Sequence, residues 1–285
     1  MTHASAMRMG VALMAGGMFL FALNDTLGKW LVASHSVGQV LLIRSLTALI
    51  VLMPFLWLLG PRRLLAVERP GLQALRVAFA AAEVWCFYFA VRGLPLADVM
   101  TYWLAAPIYV AALAPLLLGE RVGWMTWTAI LLGFAGVLLA LAPSGTVSLS
   151  GTTAAVIGSA CFAGMMLTGR SLRGTPDTAL VFWQLIGAGG LGALTAPWGW
   201  TWSTGFDWAL LGLLGVVAMG AHLCVTRALK LGDAARMAPL QYTLLPWAML
   251  LGWIAFGDVP RLPMLLAALI IVAAGLMLAL QRSRE

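Results

Sequence analysis

The sequence predicts an all-α polytopic membrane protein of ten transmembrane helices, arranged as two inverted five-helix repeats with N- and C-termini cytoplasmic. Three observations carry this. Of 285 residues, 62% are apolar and 9% charged, with a mean hydropathy of +0.97, more apolar surface than a water-soluble domain of this size can hide. The apolar residues come in continuous runs of about 20, the helix length that crosses ~30 Å of hydrocarbon, and not in the alternating ~10-residue segments of a barrel. Lys and Arg gather in alternate connections, the positive-inside pattern.

Cut at charges and at Pro/Gly punctuation, the runs are 9–33, 37–59, 71–92, 96–118, 123–141, 151–169, 178–196, 207–229, 234–256 and 262–280. Their short connections hold no soluble domain. The first run follows Arg8 as a signal peptide would, but it exceeds twenty residues, carries charges and precedes many similar runs, so it reads as a retained span. With the N-terminus inside, the cytoplasmic side collects Arg8, Arg62, Arg63, Arg69, Arg76, Arg121, Arg170, Arg173, Arg227, Lys230, Arg236, Arg282 and Arg284. The outer side keeps Arg92, Arg261 and, at its edge, Lys29. The net charge of +7 is therefore a topology signal; no basic stripe with interleaved aromatics exists to bind nucleic acid. Cys86, Cys161 and Cys224 lie in apolar runs without CxxC or Cys/His spacing, so neither a disulfide framework nor a zinc site is expected. The GxGxxG string Gly187 to Gly192 lies inside an apolar span with no preceding strand, which excludes a nucleotide fingerprint, and no cofactor is expected.

The chain repeats. Gly136-Val137-Leu138-Leu139-Ala140-Leu141 at the end of span five returns as Gly275-Leu276-Met277-Leu278-Ala279-Leu280 at the end of span ten. Arg92 through Asp98 matches Arg227 through Asp233, Gly119-Glu120 matches Gly257-Asp258, and Phe21-Ala22 with Gly28-Lys29 matches Phe162-Ala163 with Gly169-Arg170. The copies are 1–142 and 143–285, together one transmembrane domain. An odd number of spans per copy inverts one against the other, the arrangement in which transporters alternate access around a midplane site. Pro107 and Pro246, paired by the repeat within spans four and nine, are the expected hinges.

The interval from Pro107 to Gly119-Glu120-Arg121, the glycine-rich Gly133-Phe134-Ala135-Gly136-Val137 and the weaker copy from Pro246 to Gly257-Asp258 resemble the drug/metabolite transporter superfamily, specifically its ten-helix EamA-like exporters. Phe21-Ala22 before Asn24-Asp25, and Arg44, also fit. The resemblance covers essentially the whole chain and implies export of small molecules; among such families the abundance of Trp and Tyr is most like the aromatic amino acid exporters. Asp258 stands where the first copy has Glu120, so the expected job of that acid is to end a helix.

A charge at the bilayer centre costs about 2.5–3.5 kcal/mol on insertion scales, so charged residues within spans face a bundle interior or a watery cavity. At 1.5 Å per residue, Asp25 lies about 12 Å below the outer end of span one, with Arg44 and Glu83 near the same level. Mutual neutralisation is expected, above all between Asp25 and Arg44. Asn24, Asp25, Arg44 and Glu83 are thus candidate substrate contacts, with Arg44 suited to a carboxylate and Asp25 and Glu83 the proton-coupling candidates. In the second copy Gln184, His222, Gln241 and Tyr242 lie about six to eight residues from the cytoplasmic ends, the displacement that inversion predicts. Tyr88, Tyr102 and Trp103 stand away from span ends and are candidate apolar walls, as are Trp85, Phe87 and Trp183. Trp124, Trp127, Trp198, Trp200, Trp202 and Trp208 sit near span ends, where interfacial anchoring is the default.

The expected function is a secondary transporter exporting small amphipathic metabolites, aromatic or other hydrophobic amino acids foremost, by alternating access. A proton antiporter, or a carrier for a drug-like cation, purine or sugar conjugate, is the alternative. No HExxH, GxSxG or paired catalytic acids support an enzyme, and the polar residues are too few for a continuous channel lining. The expected location is the bacterial inner membrane, multi-pass, with the substrate and the lipid bilayer as partners; no oligomeric state follows from the sequence, and a monomer is compatible with it.

Overall fold

Lipid offers no hydrogen-bond partner, so each apolar run satisfies its backbone within itself. In the computed structural model, which describes residues 3–94, 96–141, 148–256 and 262–280, each predicted span contains helix and the described residues hold no strand. The first half comprises α1 (His3–Ser34), α2 (Val37–Leu59), a short α3 (Pro61–Leu65) that the hydropathy pattern does not announce, α4 (Pro70–Gly93), α5 (Leu96–Trp103), α6 (Ala106–Leu118) and α7 (Trp124–Leu141). The second comprises α8 (Leu149–Ser171), α9 (Asp177–Thr195), α10 (Gly205–Leu231), α11 (Ala234–Met237), a 3-10 segment (Ala238–Thr243), α12 (Leu244–Phe256) and α13 (Leu262–Leu280). Among the described residues seven stretches are long and apolar enough to cross a membrane.

Local chemistry sets the ends. Ser36 and Ser148 accept the Gln39 and Gly151 amides at 3.2 and 3.4 Å to start α2 and α8, and Thr204 with Asp207 forms a reciprocal capping box on α10. Gly119, at φ 67°, takes the left-handed turn that ends α6. Spans four and nine are interrupted. The break between α5 and α6 lies at Leu104-Ala105, just before Pro107, and the 3-10 segment gives way to α12 just before Pro246. Proline lacks an N–H and is tolerated in a first turn, so each interruption sits on its N-terminal side.

The largest interfaces pair α1 with α10, α4 with α8, α2 with α9 and α7 with α13. Exchanging corresponding spans of the two halves turns the first pair into the second and each of the others into itself, the pattern of a pseudo-two-fold axis. Helix α2 packs backbone against backbone at two glycines: a Cβ on Gly215 of α10 would overlap the Arg44 carbonyl, and one on Gly192 of α9 would stand 2.6 Å from the Leu42 amide. These contacts fix the part of α2 that carries Arg44. The exterior is apolar, with Leu58 87% and Leu116 80% exposed, and Trp124, Trp198 and Trp202 project from helix ends as interfacial anchors would.

The side chains of Lys29, Arg92, Asp98 and Arg236 lie outside the described residues. So do 257–261, the C-terminal Arg282 and Arg284, and the 142/143 boundary.

Candidate functional site

Both interrupted helices meet at one cavity. Its wall includes Leu104 at the first break and Gln241 and Leu244 at the second, together with Asn24 and Asp25 of α1, Arg44 of α2, Glu83, Phe87 and Tyr88 of α4, Trp103 of α5, Phe162 of α8 and His222 of α10. Its room is ≈ 70 Å³, space for a few waters and well below the ~300–1,000 Å³ of a typical small-molecule site. A substrate therefore requires the walls to part.

Four polar groups on this wall are held by neutral neighbours. The Trp103 indole Nε1 donates to Glu83 Oε1 at 2.9 Å, Asn24 Nδ2 donates to Asp25 Oδ1 at 3.2 Å, Arg44 Nη1 donates to the Tyr88 hydroxyl at 3.5 Å, and Gln241 Nε2 donates to Met166 Sδ at 2.9 Å. The expected Asp25–Arg44 ion pair is not formed: among the described residues no salt bridge involves either group. Helix α1 packs on α10 and α12 while α2 packs on α9 and α10, so the two charges approach the cavity from separate walls. Buried Asn24 Oδ1 has no partner among the described residues.

Of the eleven binding candidates read from the sequence, these eight line the cavity: Asn24, Asp25, Arg44, Glu83, Tyr88, Trp103, His222 and Gln241. The other three do not. Tyr242 is swallowed by the core formed by Leu104, Val137, Leu245, Met249 and Ile271, and its ring fills the space that Gly133 leaves open. Tyr102 packs beside Ala90, Val99 and Ala154. Gln184 stands one layer behind His222. Trp183 faces away as well, donating to the Leu64 carbonyl at 3.3 Å.

Gln184 leads to a residue that loop counting misplaces. Arg76, expected among the cytoplasmic charges, is 2% exposed. It donates to the Leu180 carbonyl at 3.0 Å, to Gln184 Oε1 at 3.1 Å and to Thr226 Oγ1 at 3.4 Å, joining α4 to α9 and α10. The Gln184 amide nitrogen lies 3.0 Å from His222 Nδ1. Since only its oxygen accepts from Arg76, its nitrogen donates to the ring, and a neutral His222 carries its proton on Nε2. Its position six residues beyond Pro70 makes Arg76 read as a loop charge.

Beyond Arg76, at one end of the bundle, Arg170 forms a clamp. Its Nε reaches Glu120 Oε1 at 2.9 Å, Nη2 reaches Asp233 Oδ1 at 3.0 Å, and Nη1 caps the last carbonyls of α10, Leu229 at 3.1 Å and Lys230 at 3.2 Å. Lys230 pairs with Asp177 at 2.6 Å and also donates to the Thr175 carbonyl. The Glu120 amide donates back to the Ala114 carbonyl at 3.4 Å where α6 ends, and its carboxylate has the further task of meeting Arg170. Gly119 ends α6, and Glu120 ties that end to α8. A polar cleft of ≈ 590 Å³ opens here, lined by Glu68, Arg69, Glu120, Arg170 and Arg173. The opposite end is joined by hydrogen bonds: Gln39 exchanges them with Thr201 at 2.7 and 3.0 Å, and His35 Nε2 lies 2.9 Å from Ser203 Oγ.

The sequence profile of the EamA-like transporter family matches the chain twice, over residues 8–142 and 149–280. The chain is 29% identical over 238 residues to a riboflavin transporter of Vibrio cholerae, covering 82% of this chain and 79% of that one. It is 26% identical over 286 residues to a pseudopaline exporter of Pseudomonas aeruginosa, covering 98% of each. To an S-adenosylmethionine uptake transporter of Rickettsia felis it is 25% identical over 268 residues, covering 91% of this chain and 90% of that one. A solved crystal structure superposes with a TM-score of 0.81 at 18% identity, over 98% of this chain and 99% of the other, which shows the same fold. Two profile matches over nearly the whole length, on an all-helical polytopic bundle, assign it: the chain belongs to the EamA-like transporter family of the drug/metabolite transporter superfamily, a family of small-molecule transporters.

Proposed function

We propose that this chain is a secondary carrier for small zwitterionic metabolites with an apolar or aromatic part, aromatic and other hydrophobic amino acids foremost, and that it exports them across a bacterial inner membrane. One observation carries the reading. The cavity holds Arg44 on one wall and Asp25 and Glu83 on others with no ion pair among them, beside the rings of Phe87, Tyr88, Trp103 and Phe162. A zwitterion matches that arrangement: its carboxylate meets a guanidinium that has donors to spare, its ammonium meets a carboxylate, and its side chain lies against rings. Asn24 Oδ1, buried and unpartnered, is a further acceptor for an ammonium.

In this reading the chain crosses the membrane ten times as two inverted repeats, 1–142 and 143–285, with both termini and the Arg170 end in the cytoplasm. Alternating access then opens the cavity first to one side and then to the other, with the interruptions before Pro107 and Pro246 as hinges. No cofactor and no catalysis are invoked, and a single copy suffices. The names of the relatives span uptake and export and three different small molecules, so both substrate and direction are matters for the assay. Proton antiport is the second reading, favoured by the placement of Asp25 and Glu83 on the cavity wall.

The test is release of labelled phenylalanine, tryptophan and threonine from loaded proteoliposomes of the purified protein. Release faster than from protein-free liposomes is the expected result, and rates no faster than those for all three end the amino acid reading. An imposed pH gradient that leaves the rate unchanged ends the antiport reading.

A further inference from the structure

We propose that Arg76 is a second anion-binding station of the translocation path, which receives the substrate's carboxylate between the Arg44 cavity and the Arg170 cleft. The proposal rests on the carrier reading and adds to it the chemistry of a second stop.

A guanidinium removed from water needs strong acceptors, and the best are anions. Arg76 is 2% exposed, yet among the described residues no carboxylate lies within 4.0 Å of it; its acceptors are a backbone carbonyl, an amide and a hydroxyl. Among the described residues its Nε has no partner. Gln73, one turn earlier on α4 and 4% exposed, has neither amide atom satisfied. Buried polar atoms are nearly always hydrogen-bonded, so three orphans within one turn of a helix point to a group the chain itself does not supply. Two of them, Arg76 Nε and Gln73 Nε2, are donors, the complement of a carboxylate.

Arg170 supplies the contrast. Its Nε and both of its Nη atoms have acceptors, two of them carboxylates. It is a finished clamp, whereas Arg76 is a cation without a charged partner among the described residues.

Position places Arg76 on the route. Arg76 Nε lies close against Gly169, where an added Cβ would stand 3.3 Å from it, so the guanidinium reaches the α8 backbone beside Arg170. The next residue, Arg170, lines the cleft at the bundle's end. In the other direction the hydrogen-bonded chain Arg76–Gln184–His222 reaches the cavity wall. A carboxylate released by the cleft therefore meets Arg76 before Arg44.

The experiment uses the full-length wild-type protein in proteoliposomes, treated with the arginine reagent phenylglyoxal, with modification of Arg76 followed by peptide mass spectrometry. Phenylacetate serves as the minimal ring-bearing carboxylate and phenylacetamide as its neutral isostere. Arg76 is expected to react slowly, and phenylacetate at about nine times its dissociation constant to slow that reaction about tenfold by mass action, while phenylacetamide leaves it unchanged. The protection persists in Arg44→Gln, since it arises at Arg76 and not by occupancy of the cavity. The proposal is overturned if Arg76 never reacts, if phenylacetate does not protect it, if the amide protects equally, or if Arg44→Gln abolishes the protection. No transported substrate is needed. Protection at Arg76 in a protein that moves none of the amino acids keeps this station and ends the amino acid reading, whereas transport of phenylalanine with an Arg76 indifferent to phenylacetate ends the station alone.

Discussion

Arg44 and Arg76 each bury a guanidinium inside the same bundle, about a third of the hydrocarbon thickness from the starts of α2 and α4, and their surroundings differ in kind. Arg44 shares a cavity with two carboxylates, two broken helices and a ring of aromatics. Arg76 is packed among neutral acceptors and lies close against Gly169. The first level is built to meet both signs of charge together, the second only a negative one. Inversion of the two halves relates their backbones, not their chemistry: the largest interfaces exchange under a two-fold axis, while the first half supplies the cavity's acids and the second supplies His222 and Gln241 to the same wall, with Gln184 behind them. A symmetric scaffold with asymmetric polar groups can open to both sides and still bind a substrate in one orientation.

The comparison breaks most readily at Arg44. Removing one member of a buried charged contact costs about 2–5 kcal/mol, so Arg44→Gln should slow phenylalanine release about 30-fold or more, with Arg44→Lys intermediate because a point charge cannot hold a carboxylate bidentately. Proteoliposome initial rates check this. An Arg44→Gln protein that folds and transports normally removes the cavity from the function and leaves Arg76 as the main contact.

The Arg170 clamp is expected to give the next effect. A hydrogen bond to a charged group contributes about 1.5–3 kcal/mol, and Arg170→Ala removes two ion pairs that hold α6, α8 and the start of α11 together. The equilibrium should shift about tenfold or more toward opening at that end. A Met166→Cys substitution, at a fully buried position, reads this through the alkylation rate of the new thiol by a membrane-impermeant maleimide. Equal alkylation rates with and without the Arg170→Ala change mean that the clamp fixes packing and gates nothing.

These differences also show how much the sequence discloses. Spans are legible because bilayer thickness dictates their length, and Asn24, Asp25, Arg44 and Glu83 because a polar or charged group in an apolar run is conspicuous. Arg76 escapes sequence reasoning for the reverse reason: six residues from Pro70 it blends with the loop arginines, and only tertiary packing of α4 on α8 and α9 submerges it. The Asp25–Arg44 pair follows from matching depth, yet depth says nothing about azimuth around the bundle axis. Tyr242 draws notice by its polar hydroxyl beside Gln241, whereas neighbouring residues of a 3-10 segment point in different directions, one into the cavity and one into the core.

The smallest expected effect separates those two environments for tyrosine. The Tyr88 hydroxyl on the cavity wall accepts from Arg44 at 3.5 Å, while the Tyr242 hydroxyl is buried with no protein partner. An unsatisfied buried hydroxyl carries a desolvation cost of about 1–3 kcal/mol, so Tyr242→Phe should leave transport unchanged and raise the unfolding temperature slightly. Tyr88→Phe loses a long, weak hydrogen bond, but one that orients the guanidinium; a two- to tenfold loss of transport follows from about 0.5–1.5 kcal/mol. Rates and thermal unfolding measured on the two variants side by side decide the matter. If Tyr242→Phe costs transport and Tyr88→Phe does not, the substrate passes along the α7–α13 side of the bundle, and the cavity at Arg44 is a packing defect between its halves.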